Sequence, residues 1–257
     1  GHRSYWHPLR LPDSPPLTMN QPDDHVHHQG LWVAWKAVNG VNFWEQPKPG
    51  DEPRGFGKIV HQGLLDQSAN AEVAQFTAEN AWIDWSSATH LTEVRQTNVF
   101  APQPDYLSID LRLQLRPHER DVVLDLKRGE PGSGGLFYSG LTMRFDNTLT
   151  PGQLLDADGR TEAMGIFGKQ SRWCGFAGTH AKNGGVYGAT IVDHPSNPRH
   201  PTTWWVRNRK NYCLLHPSPA YYEPFHLAQT DQLEFKYRVL LHKGYVNPDL
   251  IELGMQC

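Results

Sequence analysis

The sequence predicts an all-β protein, an antiparallel two-sheet β-sandwich spanning residues 1–257 as a single domain. Three observations predict it. In Tyr106–Arg116, Leu107, Ile109, Leu111, Leu113 and Leu115 alternate with Ser108, Asp110, Arg112, Gln114 and Arg116, so one face is buried and one is wet. Leu233–Leu241 repeats the pattern, with Leu233, Phe235, Tyr237, Val239 and Leu241 opposed to Glu234, Lys236 and Arg238. Short apolar runs elsewhere are separated by Gly, Pro, Asn or Asp, and none carries a three-turn helical pattern.

In chain order, Tyr5–Arg10 leads into a Pro-rich turn region from Leu11 to Pro22. Strand-like Leu31–Val38 and Val41–Glu45 flank Asn39-Gly40, a pair that tolerates positive φ and so marks a hairpin. After a loop from Pro47 to Gly57, strands are expected at Lys58–Leu65, Ala71–Trp85 and Thr89–Phe100. Further strands are expected at 121–126, 135–145, 172–176, 185–193, 202–207 and 212–216, and a short helix at Asn247–Met255. A chain of 257 residues with no repeat or composition break fits one large β domain.

Composition narrows the function. Charged residues make up 20% with mixed signs, and the net charge is −3, which argues against a nucleic-acid partner. No apolar run approaches the ~18 residues of a membrane span. Gly1-His2-Arg3-Ser4 lacks the apolar core of a signal peptide, and a cloning scar at its very start is expected. Cys174, Cys213 and Cys257 match neither a disulfide framework nor a Cys-based zinc motif, so a reducing, cytoplasmic setting is expected.

The stretch with most chemistry is Asp23-Asp24-His25-Val26-His27-His28-Gln29-Gly30, at the entrance to an apolar strand. In an extended segment His25 and His27 share a face and His28 points the other way. Two such imidazoles suit a shared divalent metal (Zn, Mn or Ca) or a metal-free acid/base pair. For a metal, His61 or His194 is the expected third ligand. The competing reading is a solvated His-rich loop. A second constellation, Asp193-His194-Pro195-Ser196-Asn197-Pro198-Arg199-His200-Pro201, is stiffened by three prolines and offers His194, Asn197, Arg199 and His200, or forms a rigid turn. Tyr138 and Ser139 flank a tight glycine approach. Glu223, beside Tyr221 and Tyr222, is a general acid if burial raises its pKa. Trp204 and Trp205 alternate across a strand, so one of them, with Trp204 as candidate, is offered to a sugar's C–H face.

Several motifs together resemble the bacterial "PmoA-like" family: His7-Pro8-Leu9, the block from Asp24 to Trp32, Val38-Asn39-Gly40-Val41 with Phe43-Trp44, the loop from Asp193 to Pro201, and Glu223-Pro224 followed by Leu233–Leu241. The resemblance covers nearly the whole chain. It implies a β-sandwich related to galactose-mutarotase-like supersandwiches and a role in carbohydrate metabolism. The family name refers to a methane monooxygenase subunit that is an integral membrane protein, and a chain without a spanning segment is not that subunit. Gln29 stands where the family often has Arg, which removes the expected anion contact there.

The expected function is therefore a carbohydrate-active enzyme, a hydrolase, lyase or epimerase acting on a sugar or keto-glycoside. His25, His27, His28, His194 and Glu223 are its candidate acid/base groups. Tyr138, Ser139, Asn197, Arg199, His200 and Trp204 are candidate substrate contacts, and His25, His27 and His61 are candidate metal ligands. The alternatives are a non-catalytic carbohydrate-binding protein, whose affinity would depend on Trp rather than His, and a structural or metal-storage sandwich.

Overall fold

The structure, a computed structural model, describes residues 2–48, 50, 52–126 and 137–255. The first two residues of the strand expected from Gly135, together with Cys257, lie outside them. The strands in chain order are β1 (Tyr5–Trp6), β2 (Leu31–Trp35), β3 (Ala37–Val38), β4 (Gly57–Ala69), β5 (Val73–Asp84), β6 (Thr89–Phe100), β7 (Tyr106–Pro117) and β8 (Val122–Asp125). They continue with β9 (Ser139–Arg144), β10 (Gln153–Asp156), β11 (Trp173–Thr179), β12 (Val186–Asp193), β13 (Trp204–Arg209), β14 (Tyr212–Pro217), β15 (Phe225–Leu227) and β16 (Leu233–Lys243). Helices among the described residues are limited to α1 (Ala163–Ile166), α2 (Pro248–Met255) and a 3₁₀ turn at Asn147–Leu149.

These strands form an all-β antiparallel sandwich. An eight-stranded sheet runs β10-β11-β12-β16-β7-β6-β5-β4, and a five-stranded sheet runs β1-β2-β9-β14-β13. A small third sheet, β15-β8-β3, closes one end. The two strands with the clearest alternation are partners: β16 pairs with β7 from Leu233↔Leu115 to His242↔Tyr106. Their inward residues, from Ile109 to Leu115 on one and from Leu233 to Leu241 on the other, are buried in the common core. On the wet face Arg238 makes a bidentate pair with Asp110, at 2.6 and 2.7 Å. Apolar burial on one face and satisfied charge pairs on the other is what that alternation selects.

The hairpin expected at Asn39-Gly40 is present, with φ of 49° and 80° and mutual hydrogen bonds between Val38 and Val41. The strand before it differs from expectation. It breaks at Lys36, whose N–H donates to the Tyr138 carbonyl, and Ala37–Val38 joins the small sheet instead. The two-to-four-residue strands β1, β10 and β15 carry too few residues to show a period, and the sequence did not mark them.

The central strands of the five-stranded sheet, β2, β9 and β14, are buried on both faces. Trp35 points into the sandwich, its ring 6.0 Å from Phe235. Its alternate, Trp32, faces outward with Thr142 on β9, His216 on β14 and Trp205 on β13, and this outer row is also buried. Covering it are the loop at residues 22–28, residues 36–45, Phe137–Tyr138 and the segment at α1. A buried outer face rich in polar groups demands an explanation that packing alone does not supply.

Candidate functional site

The loop preceding β2 is not extended. His25 N–H bonds to the Pro22 carbonyl and His28 N–H to the His25 carbonyl, two successive turns that draw all three imidazoles together. The His25 and His28 rings stack 4.6 Å apart at 13°, and His27 meets them edge-on at 5.6 and 4.7 Å. Gly30 ends the loop at φ +62°, and a Cβ there would sit 2.4 Å from the Trp6 carbonyl oxygen. The expectation that His25 and His27 share one strand face is therefore corrected. Turn hydrogen bonds, not a ladder, set their directions.

Arg144, fully buried on β9, fastens this loop. Its Nη2 donates to Asp24, Asn147 and the Asn211 carbonyl, and its plane lies 4.2 Å from the Tyr212 ring. His28 is 2% exposed, stacked 5.1 Å from Trp32, and burial drives its pKa far down. It is a packing residue, which corrects its reading as a catalytic group. His25 is partly exposed and its Nδ1 lies 3.0 Å from Asp24. His27 has no side-chain hydrogen bond among the described residues, and burial, with the charge of Arg3, lowers its pKa to about 4. It is a neutral imidazole with open ring nitrogens at neutral pH.

Beside it stand residues that the sequence did not single out. Arg3 is 4% exposed; its Nη2 donates to the Trp44 carbonyl, while Nε and Nη1 have no partner. Burial lowers its pKa to about 9, and the nearby Glu45 opposes that shift. His2 is held neutral, its pKa lowered to about 3 by burial and by Arg3, with Nε2 unpartnered. Glu45 is ion-paired with Lys36 and accepts from Asn42 at 2.7 Å. Burial pushes the Glu45 carboxyl up, but these bonds and the Lys36 charge hold it below its ordinary value. Lys36, Asn42 and Glu45 also line a cleft of about 810 Å³.

An aromatic row crosses the face from there. Trp44 stacks on Tyr138 at 4.6 Å, and Tyr138 meets Trp205 edge-on at 5.1 Å. Arg207 lies over the far end, 4.3 Å from the Trp205 ring and 5.2 Å from Phe167. The indole N–H groups of Trp32 and Trp44 have no acceptor. Unpartnered donors of Arg3, Trp32 and Trp44 thus lie close to one another, with Arg3 beside a neutral His27. Buried donors are almost always satisfied, and the economical account of several together is a ligand that supplies acceptors.

The family model for DUF6807, described as a family of unknown function, matches residues 1–254. The chain belongs to that family. No curated protein matches it. Among solved structures, a human-microbiome chain whose assigned description is kojibiose phosphorylase aligns over 87% of this chain at 7% identity, with a TM-score of 0.35. This DUF6807 chain spans 25% of the length of that protein.

The second polar loop does not join the His cluster, which corrects the expected set. It precedes Trp204 at the start of β13, while the His cluster packs on Tyr212, paired with Arg209 at the strand's other end. Five strand steps, ~17 Å, separate those two ends. Within the loop every group is engaged. Asp193 is 2% exposed and accepts from Asn197 Nδ2 at 2.7 Å and Thr202 N–H at 2.9 Å, with His200 Nδ1 2.8 Å away. Asn197 also bridges the Lys236 backbone, and Arg199 donates to the carbonyls of Pro219, Glu223 and Pro224. His194 lies within hydrogen-bond distance of Ser196 and lines a 510 Å³ groove on the outer face of the large sheet.

Other candidates are corrected for similar reasons. Glu223 is exposed, so the buried setting on which its reading as a general acid depended is missing. Trp204 is in the core, donating to the Ser171 carbonyl, and its neighbour Trp205 faces the site. Ser139 is fully buried, within 3.0 Å of Ser218 Oγ, and accepts from Ala220 N–H. His61 is exposed on β4, opposite Asn80. Among the described residues no group of three or more His, Cys, Asp or Glu is placed to hold a metal ion. The stacked rings of His25 and His28 lie in near-parallel planes, a geometry unsuited to converging on one ion. Of the candidates named from sequence, His25, His27 and Tyr138 belong to the site.

Proposed function

We propose that this face binds a sugar bearing a carbonyl, such as a keto-glycoside, and removes the proton beside that carbonyl to begin an elimination or epimerisation. The observation that carries the reading is His27, neutral and with no side-chain hydrogen bond among the described residues, beside Arg3, a buried cation whose Nε and Nη1 have no partner. His27 takes the proton, and the electron pair moves into the carbonyl oxygen. Arg3 holds the resulting enolate, a charge that develops only as the reaction proceeds. His25, oriented by Asp24, is placed to return a proton to the departing oxygen in an elimination, or to carbon in an epimerisation. Tyr138, partly exposed and backed by Trp44, suits the C–H face of the ring. No metal is assigned a step.

The test is to incubate the protein with 3-keto-glucosides of 4-nitrophenol in D₂O. Release of nitrophenol, or deuterium uptake beside the ketone, that is lost in His27→Asn is the expected result. Binding of the same compounds with neither event would make the chain a carbohydrate-binding protein instead.

A further inference from the structure

Five cations, Arg3, Lys36, Arg144, Arg207 and Arg209, are set on or against the outer face of the five-stranded sheet, in a chain whose net charge is −3. Two have carboxylate partners there: Arg144 pairs with Asp24 and Lys36 with Glu45. Arg207 and Arg209 have no carboxylate partner among the described residues. Arg209 is exposed and rests on the Tyr212 ring at 4.9 Å. Arg207 is half-buried, and its one side-chain hydrogen bond among the described residues runs from Nη1 to the Val206 carbonyl at 3.3 Å.

That arrangement is unusual for a charge a protein has no use for. Trp205 and Phe167 fix the plane of the Arg207 guanidinium, so little side-chain entropy remains to be lost when its free edge takes a partner. A guanidinium edge of this kind matches the two oxygens of a carboxylate. Arg207 also lies at the opposite end of the aromatic row from Arg3. Arg3 lies against Trp32 on β2 and Arg207 against Trp205 on β13, three strand spacings or ~14 Å apart across the sheet, the reach of a ligand of two sugar rings.

We infer that the glycoside taken by this face carries a carboxylate, a uronate ring or comparable sugar acid, and that Arg207 holds it while the reacting ring lies toward His27 and Arg3. The inference rests on the proposed sugar site but not on its chemistry. It makes Arg207 a specificity-determining residue and predicts that affinity follows the charge of the ring remote from the reaction.

Calorimetric titration with an aldobiouronic acid and with the neutral disaccharide made by reducing its carboxyl group tests this. The acid is expected to bind at least about tenfold more tightly to the unaltered protein, with a preference that weakens as salt rises. Arg207→Gln should abolish the preference and Arg207→Lys keep part of it, since an ammonium supplies charge without the planar fork. Should Arg207→Gln fail to fold, the Lys variant and the salt series still give the answer. Equal affinity for both disaccharides, or a preference that persists in Arg207→Gln, overturns the inference. Tighter binding of the corresponding sugar phosphate overturns the carboxylate assignment. His27-dependent turnover of neutral keto-glycosides without preference for the acid overturns this inference and leaves the proposed reaction standing. An Arg207-dependent preference without turnover does the reverse.

Discussion

The loops at residues 22–28 and 193–201 look alike in composition and behave as opposites. Each mixes His with Asp beside a strand. In the second, Asp193 is the hub for Asn197, His200 and Thr202, and Arg199 is spent on three carbonyls. That loop is a clamp whose polar groups answer one another. In the first, Arg144 tethers the loop through Nη2 while its Nε stays unpartnered, and the face it holds the loop against has further unpartnered donors on Arg3, Trp32 and Trp44. Composition reports which groups are present, and only geometry reports which remain unanswered. An unanswered buried donor costs about 1–3 kcal/mol, so several on one face mark a place where stability has been given up for something else.

The comparison breaks first at His27 and Arg3. His27→Asn is expected to lower turnover of a keto-glycoside by about 10²–10⁴-fold, the usual loss for a general base. Arg3→Met should lose turnover comparably, yet unfold at the same or a higher denaturant concentration, because it removes a buried charge with unmet hydrogen bonds. A large loss of stability in Arg3→Met would show that Arg3 is a structural clamp like Arg199.

Asp193→Ala should show the opposite division. It leaves Asn197, His200 and the Thr202 N–H without their acceptor in a buried setting, at a cost of about 3–5 kcal/mol. Urea unfolding measures this, and turnover per folded molecule should be unchanged. A selective loss of turnover at unchanged stability would return the Pro-rich loop to the active site.

The pH dependence gives a smaller and separable effect. His216 is fully buried, and burial lowers its pKa to about 3 despite opposing bonds to the Phe137 and Leu141 carbonyls. Its proton is taken up by the unfolded chain before the folded one, so its contribution to stability is whole above pH ~6.5 and is lost as pH falls toward 3. The slope reaches ~1.4 kcal/mol per pH unit for this one group. Unfolding curves between pH 7 and pH 4 should show the decline, with a shallower slope in His216→Gln. Activity should fail later than an ordinary histidine would allow: with His27 at about 4, kcat/KM should stay level down to about pH 5. An acid limb centred at 6.5 would exclude His27 as the base.

How much of this was legible in the sequence depends on the length of pattern involved. β7 and β16 declared themselves because seven or more residues alternate without interruption, and they turn out to be each other's partners. The Asn39-Gly40 turn was legible because its backbone demands positive φ. The break at Lys36 was not, because it depends on Tyr138, about a hundred residues away in the chain. Arg3 was invisible for the same reason. The segment after it pairs with β2, and Ser4 bonds to Asn80 and Arg95 of the large sheet, which no local pattern announces. Arg207 did leave a signal: Trp205, Arg207 and Arg209 alternate along one strand face, aromatic then cationic, in a stretch noticed only for its paired tryptophans.

The smallest expected effects belong to His61 and His194, and they sharpen the contrast between a His that is merely present and one that is placed. His61 is exposed on β4, and His194 is exposed within hydrogen-bond distance of Ser196. Neither touches the imidazole cluster or the aromatic row. His61→Ala and His194→Ala should each change stability by no more than about 0.5 kcal/mol, the usual range for surface positions. Turnover should stay within about twofold of the unaltered protein. The same variants test the metal question. If His25, His27 and His61 shared a divalent ion, a chelator would remove activity, one added ion would restore it, and His61→Ala would lose activity without the chelator. The geometry gives a different expectation: His61 is exposed on a strand of the other sheet, and among the described residues no group of three or more His, Cys, Asp or Glu is placed to hold an ion. Chelation and His61→Ala should therefore both leave turnover and unfolding where they were. Loss of activity in both, with rescue by zinc or manganese, would mean that the loop before β2 opens its turns to bind metal and that its two-turn form is a resting state.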